Sequence, residues 1–186
     1  GKNLTDAQKW QEMSPVLEGF FSPVLKSEKE VSDADREKYD SLMQKMQDAL
    51  AEYDANAQIE NTKTVIQKFS ASDGKIDYVA QGNVPGYLLN QFSMDEYNGN
   101  LRVATTVDVW ARKRVQYNNV YVLDSAMKSV GELGRIARDE KIYSARFMGE
   151  RLYLVTFRQT DPFFVIDLSK PDAPKVIGSL KIPGYS

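Results

Sequence analysis

Histidine and cysteine are both missing from the 186 residues. Without them there is no imidazole base, no thiol nucleophile, no Ser-His-Asp triad and no His- or Cys-ligated metal site. Any metal would have to be a hard cation held by oxygens. Lack of cysteine fits a reducing or an oxidising compartment and does not choose between them. An excess of one charge is missing too: 24 basic and 26 acidic residues are interspersed and leave a net charge of −2. Nothing resembles the basic stripe that a phosphate backbone requires, so nucleic acid is not an expected partner. No apolar run approaches the ~18 residues of a membrane-spanning helix. The opening Gly1-Lys2-Asn3 has neither an initiator Met nor a leader-type apolar stretch, and reads as the start of a piece cut from a longer protein.

What is present is an ordinary folded composition, 42% hydrophobic and 27% charged, enough for one sizeable domain or two small ones. The first 60 residues have helical character. Thr5 and Gln8 form a capping box, and Trp10, Met13 and Leu17 follow at helical spacing. Ser-Pro-Val-Leu occurs twice, at Ser14 and Ser22, each Ser suited to an N-cap and each Pro to a first helical position. A longer helix is predicted from Asp33 to Ala57, capped by Ser32, with Tyr39, Met43, Met46, Leu50, Tyr53 and Ala57 along the packed stripe.

From Asn61 the period changes to two. "TKTVIQKFS" ends in an Asp73-Gly74 turn, and "NLRVATTVDVW" puts Leu101, Val103, Thr105, Val107 and Val109 on one face. "NNVYVLD", "RLYLVTF" and "FFVID" are short apolar strands bounded by turn formers, apolar on both sides and so expected to be covered on both faces. Asn98-Gly99 is the strongest hairpin signal, and Val84-Pro85-Gly86 reads as a turn leading into a strand "YLLNQFS".

These strands recur. "VPGY" at Val84 returns as "IPGY" at Ile182, 98 residues on; "NGNLRVATT" resembles "MGERLYLVTF" at a spacing of 50. "VYVLD" ending at Asp124 matches "FVID" ending at Asp167, 43 apart, and "VGELGRI" matches "IGSLKI", 47 apart. The unit is a turn, a long strand, a second strand ending in Asp, then Gly-x-Leu, with a period of about 49 residues. Units of that size made of three or four short strands are what β-propeller blades look like; an antiparallel sandwich with chance similarity is the other reading. Fewer than three units fit, so the fold expected is mainly β with an α-helical N-terminal segment, an incomplete propeller of two to three blades. The terminal Asp of each second strand is expected to cap its turn through its carboxylate.

At this point the strings "TKTVIQKFS…GNVPGYLLNQFSMDEYNGNLRVATT" and "NNVYVLD…VGELGRIARDEKIYSARFMGERLYLVTFRQTDPFFVIDLSKPDAPKVIGSLKIPGYS" carry a resemblance. They are similar to a prokaryotic secreted family with a C-terminal β-propeller domain distantly related to WD repeats. The likeness covers roughly residues 60–186. It implies that residues 1–60 are a helical insertion in the parent propeller and 61–186 its blades, and that the protein is extracellular or at the cell surface. The family often has Gly before an acidic residue where this chain has Arg138-Asp139. It brings no catalytic residues and no cofactor, and none is expected here; no metal ligands are assigned.

The candidate binding residues are Asp95, Glu96, Trp110, Arg112 and Arg114. Asp95-Glu96 could hold calcium or, with Asp108, act in glycoside hydrolysis, but adjacent acids on a strand point to opposite faces, and solvated carboxylates or a turn cap are the plainer account. Arg102, Arg112, Lys113 and Arg114 form the densest basic cluster, a loop between blades or an anion or partner contact. Trp110 beside them either anchors an interface or closes the core edge. Phe92 and Phe147 are expected to pack between blades, and Thr105, Thr106 and Thr156 to pair across strands. The function these features imply is a binding or structural scaffold for a protein or glycan partner; the alternative is part of a carbohydrate-active or peptidase-associated enzyme using channel carboxylates. Open blade edges make a homodimer possible.

Overall fold

The structure is a computed structural model, and it describes Pro15 and residues 33–111, 113–157 and 161–182. The expected caps at Thr5, Ser14, Ser22 and Ser32, the stripe at Trp10, Met13 and Leu17, and the second Pro-Gly-Tyr corner lie outside the described residues. The chain divides into two compact units, residues 1–49 and 50–186. The described part of the first is Pro15 and the leading stretch of helix α1 (Asp33–Asn61). The last turns of α1 belong to the second unit.

Among the described residues ten strands follow, in three antiparallel sheets. Strands β1 (Lys63–Ser72) and β2 (Lys75–Pro85) form a hairpin. Strands β3 (Met94–Tyr97), β4 (Asn100–Ala111), β5 (Lys113–Leu123) and β6 (Ser129–Ile136) form a four-stranded meander, and β7 (Lys141–Met148), β8 (Arg151–Phe157), β9 (Asp161–Asp167) and β10 (Lys175–Ile182) form another. Each meander is one blade, and the strings that recur in the sequence occupy equivalent strands, β4 and β8, β5 and β9, β6 and β10; in the fold Leu101 corresponds to Leu152, a spacing of 51 where the sequence match has 50.

The turns obey the chemistry their residues dictate. Asp73-Gly74 has φ of 51° and 75°, and Asn98-Gly99 has 51° and 78°, the left-handed pair that a two-residue type I′ hairpin demands. Asp124 caps the exit of β5, its Oδ1 accepting from the amides of Ala126 and Lys128, both at 2.9 Å. Asp167 accepts from Ser169 N at 3.1 Å in the second blade. The Arg138-Asp139 turn is tight without glycine: Ala137 and Asp139 both take positive φ, 47° and 64°.

The core is mostly the joint between blades. Ala104, Val120, Val122 and Ile136 of the first blade pack against Ile142, Leu152, Leu154 and Ile166 of the second, all buried. The opposite face of the first blade, through Val103, Tyr121 and Leu123, packs on Val84 and Ile66 of the hairpin. Two glycines show how closely these layers meet. A Cβ on Gly131 of β6 would lie 2.0 Å from the carbonyl oxygen of Pro171, in the turn after Asp167. One on Gly82 of β2, 49 residues earlier, would lie 2.6 Å from the carbonyl oxygen of Met127, in the turn after Asp124. The β1–β2 hairpin therefore stands to the first blade as β5–β6 stand to the second: it is the outer half of a third blade.

Three details depart from the sequence reading. The segment expected as strand "YLLNQFS" pairs only through Tyr87, bridged to Thr106, before residues 91–93 turn as a 3-10 helix. Asn90 causes this, its Oδ1 accepting from Phe92 N at 2.9 Å. Phe92 is consequently 49% exposed, stacked under Arg146 and not in the inter-blade core, whereas Phe147 does pack there. On α1 the contact face is Ala51, Ala55 and Ile59, while Tyr53 and Ala57 are exposed. Ala55 packs on Val107, Val109 and Ala111, where a small side chain lets the helix backbone approach the strands.

Candidate functional site

Most polar side chains at the blade joint are engaged with one another. Strand pairing sets Asp95 opposite Arg102, and the guanidinium binds that carboxylate through Nε at 3.1 Å and through Nη2. Nη1 donates to the carbonyl oxygen of Gly149 at 2.6 Å, across the joint. The same guanidinium lies 4.5 Å from the Tyr97 ring centroid and 5.1 Å from that of Phe147. Arg102 is only 3% exposed, so this member of the basic cluster is a pin between blades. Glu96 points to the other face of β3, as alternation requires, and meets Lys68 of the hairpin at 3.1 Å.

At the far end of β4, Asp108 is gripped by Arg114 through Nε at 2.9 Å and Nη2 at 2.8 Å, and accepts from Gln116 at 2.9 Å. The Arg114 hydrogen bond, outweighing partial burial, holds the Asp108 carboxyl below its usual range. Asp95 sits opposite Arg102, six residues before Asp108 on β4, so about 20 Å of strand separates the two carboxylates, more than a glycosidase pair allows. Arg112 lies outside the described residues. Trp110 is 72% exposed; only its backbone carbonyl is held, by Gln58 Nε2 at 2.9 Å. Of the three threonines only Thr106 pairs across strands as expected, Oγ1 donating to Asn118 at 2.8 Å; Thr105 Oγ1 donates to Pro85 O of the hairpin sheet at 2.8 Å, and Thr156 to Glu140 in the loop before β7.

The hollow with convergent polar groups lies elsewhere. A cleft of about 330 Å³ opens over the outer strands of the first blade, bounded by Ile59 of α1 and Pro85 at the end of β2. Its floor is Tyr117, Asn119 and Tyr121, alternate residues on one face of β5; its rim is Glu132, Gly134 and Arg135 of β6. Asn119 is fixed at both ends, Nδ2 donating to the Tyr121 hydroxyl at 2.7 Å and Oδ1 accepting from Arg135 N at 2.9 Å. The Arg135 guanidinium lies 5.7 Å from the Tyr117 ring centroid. Burial, seconded by the Glu132 charge, pushes the Tyr121 phenol well above its usual value; burial also raises Tyr117. Arg135 holds a left-handed φ of 59°, an uncommon conformation for a residue with a side chain. None of these residues was a candidate from sequence. The signal was the Tyr-x-Asn-x-Tyr alternation within "YNNVY", polar groups on a strand face that a plain core would fill with aliphatics.

The comparisons with known proteins agree with this architecture. The family model described as the beta propeller domain matches residues 22–186. An uncharacterized protein of Methanocaldococcus jannaschii is 45% identical over 185 residues, covering 100% of this chain and 28% of its own length. An uncharacterized protein of Archaeoglobus fulgidus is 53% identical over 124 residues, 67% of this chain and 19% of its own. The chain thus spans less than a third of the length of these curated relatives. No solved structure matches.

Proposed function

From the premise that this chain belongs to the beta propeller domain family, we propose that it is a binding or structural scaffold that presents its surfaces to a protein or glycan partner. The observation that carries this reading is what five acidic side chains of the joint and the strand ends do. Asp95 holds Arg102, Asp108 holds Arg114 and Gln116, Glu140 holds Thr156, and Asp124 and Asp167 cap turns. A carboxylate whose lone pairs are committed to a joint is poorly placed to move protons to a substrate. The partner-facing features are the exposed Trp110, the cleft over β5 and β6, and the edge of β1, which pairs with no second strand among the described residues and suits another strand of the same protein or a second copy of this chain. Location outside the cell belongs to the same proposal and rests on the family resemblance. Among the described residues no helix is long and apolar enough to cross a membrane.

The experiment compares Asp95→Asn, Asp108→Asn and Glu140→Gln for thermal stability and for turnover of chromogenic aryl glycosides and peptide amides. The reading expects each to lower the melting temperature and no turnover in any protein. Turnover that is abolished by one of these substitutions at unchanged melting temperature would overturn it.

A further inference from the structure

We propose that the cleft over the outer strands of the first blade binds one neutral sugar ring of a glycan. This rests on the scaffold reading and names the ligand class for one of its surfaces. The rim charges favour a neutral ligand. Glu132 and Arg135 are both exposed on the rim, and neither is ion-paired with any described residue. A phosphate attracted to Arg135 meets Glu132, and an ammonium attracted to Glu132 meets Arg135. A hydroxyl, which donates and accepts, satisfies both without repulsion.

The floor favours a hydroxyl as well. Asn119 donates to the Tyr121 oxygen, which leaves the phenol hydrogen directed elsewhere. The hollow therefore offers one acceptor, the Glu132 carboxylate, and two donors, the phenol hydrogen and the Arg135 guanidinium. Ile59 and the Tyr117 ring supply apolar surface suited to the C–H face of a pyranose. A volume of about 330 Å³ falls at the small end of ligand pockets, sized for a single ring.

The cleft is also accessible. The floor and rim are β5 and β6, the outer strands of the blade, and the β2 wall is the outer strand of the half-blade beside it. Strands completing that half-blade would pair with the edge of β1, over the inner strands, and leave the cleft open.

The test is an amide-resolved NMR titration of the whole chain with D-glucose, D-galactose, N-acetylglucosamine, cellobiose and maltose up to about 50 mM, with inorganic phosphate and glycine alongside. At least one neutral sugar is expected to give saturable shifts centred on Tyr121, Glu132 and Arg135. Tyr121→Phe and Arg135→Ala should each weaken that binding about tenfold or more, the loss of one well-made polar contact, while Ile76→Ala, at an exposed position outside the cleft, should leave it unchanged. No saturable shift with any of the sugars, or saturation of the cleft by phosphate or glycine instead, overturns the proposal. In either case the scaffold reading stands or falls separately, on the turnover and stability of the carboxylate variants.

Discussion

Removing Arg102 is the sharpest probe of the blade joint. In Arg102→Ala the side chain lost is 3% exposed, and with it go the Asp95 pair, the bond to Gly149 O and the contacts with the Tyr97 and Phe147 rings. Breaking a buried ion pair costs about 3–5 kcal/mol, chiefly because the remaining charge is left without a partner. Asp95 is 34% exposed and regains water, which puts the expected loss at the low end, about 3 kcal/mol. Asp95→Asn leaves the more buried guanidinium uncompensated and should cost about as much. Urea unfolding gives both values and that of the double mutant. Residues in one network do not add, so the double should fall short of the sum by about 1–2 kcal/mol. A loss under 1 kcal/mol for Arg102→Ala at unchanged m-value, or strict additivity, would refute the idea that this pin joins the blades.

Three further outcomes follow from the same packing. Tyr121 and Tyr117 have phenols raised above the usual 10.0, so the folded state opposes their ionisation. The stability this gives is complete below pH 10 and is lost as pH rises beyond it; absorbance titration should show their ionisation coinciding with unfolding, and free titration near pH 10 with the fold intact would contradict it. Asp108 titrates below its usual 3.8, so its contribution is present above that pH and disappears as pH falls. Asp108→Asn should therefore reduce stability by about 1 kcal/mol near neutrality, a modest figure because Arg114 is half-exposed, and the gap to wild type should close in acid melts. Ala55→Leu places bulk where α1 meets Val107 and Val109, and should cost about 1–3 kcal/mol in thermal melts; a neutral result would mean the helix does not pack there.

The blades were legible because their punctuation is local. Asp73-Gly74 and Asn98-Gly99 force left-handed turns whatever surrounds them, and Asp124 and Asp167 cap with amides a few residues away. Periodicity then supplied the strands. What escaped depends on contacts distant in sequence. Arg102 reads as part of an exposed basic cluster until Gly149 and Phe147 arrive from the next unit. The helix stripe shifted to Ala51 and Ala55 because the strands favour close approach over large side chains. Asn90 diverted a strand by a two-residue hydrogen bond that apolar pattern does not register. The cleft needed four elements brought together, and only its floor had a sequence signature.

The whole account depends on the hairpin, the first blade and the second being successive turns of one repeat, and three glycine substitutions measured side by side by urea unfolding test that. Gly82→Ala and Gly131→Ala each drive a Cβ into the backbone of the following Asp turn and should each cost about 2–3 kcal/mol. Gly178, their counterpart in β10, has nothing within 4 Å of an added Cβ, so Gly178→Ala should stay within about 0.5 kcal/mol of wild type. A neutral Gly82→Ala beside a costly Gly131→Ala would mean that the hairpin is not docked as half a blade, and would contradict the account.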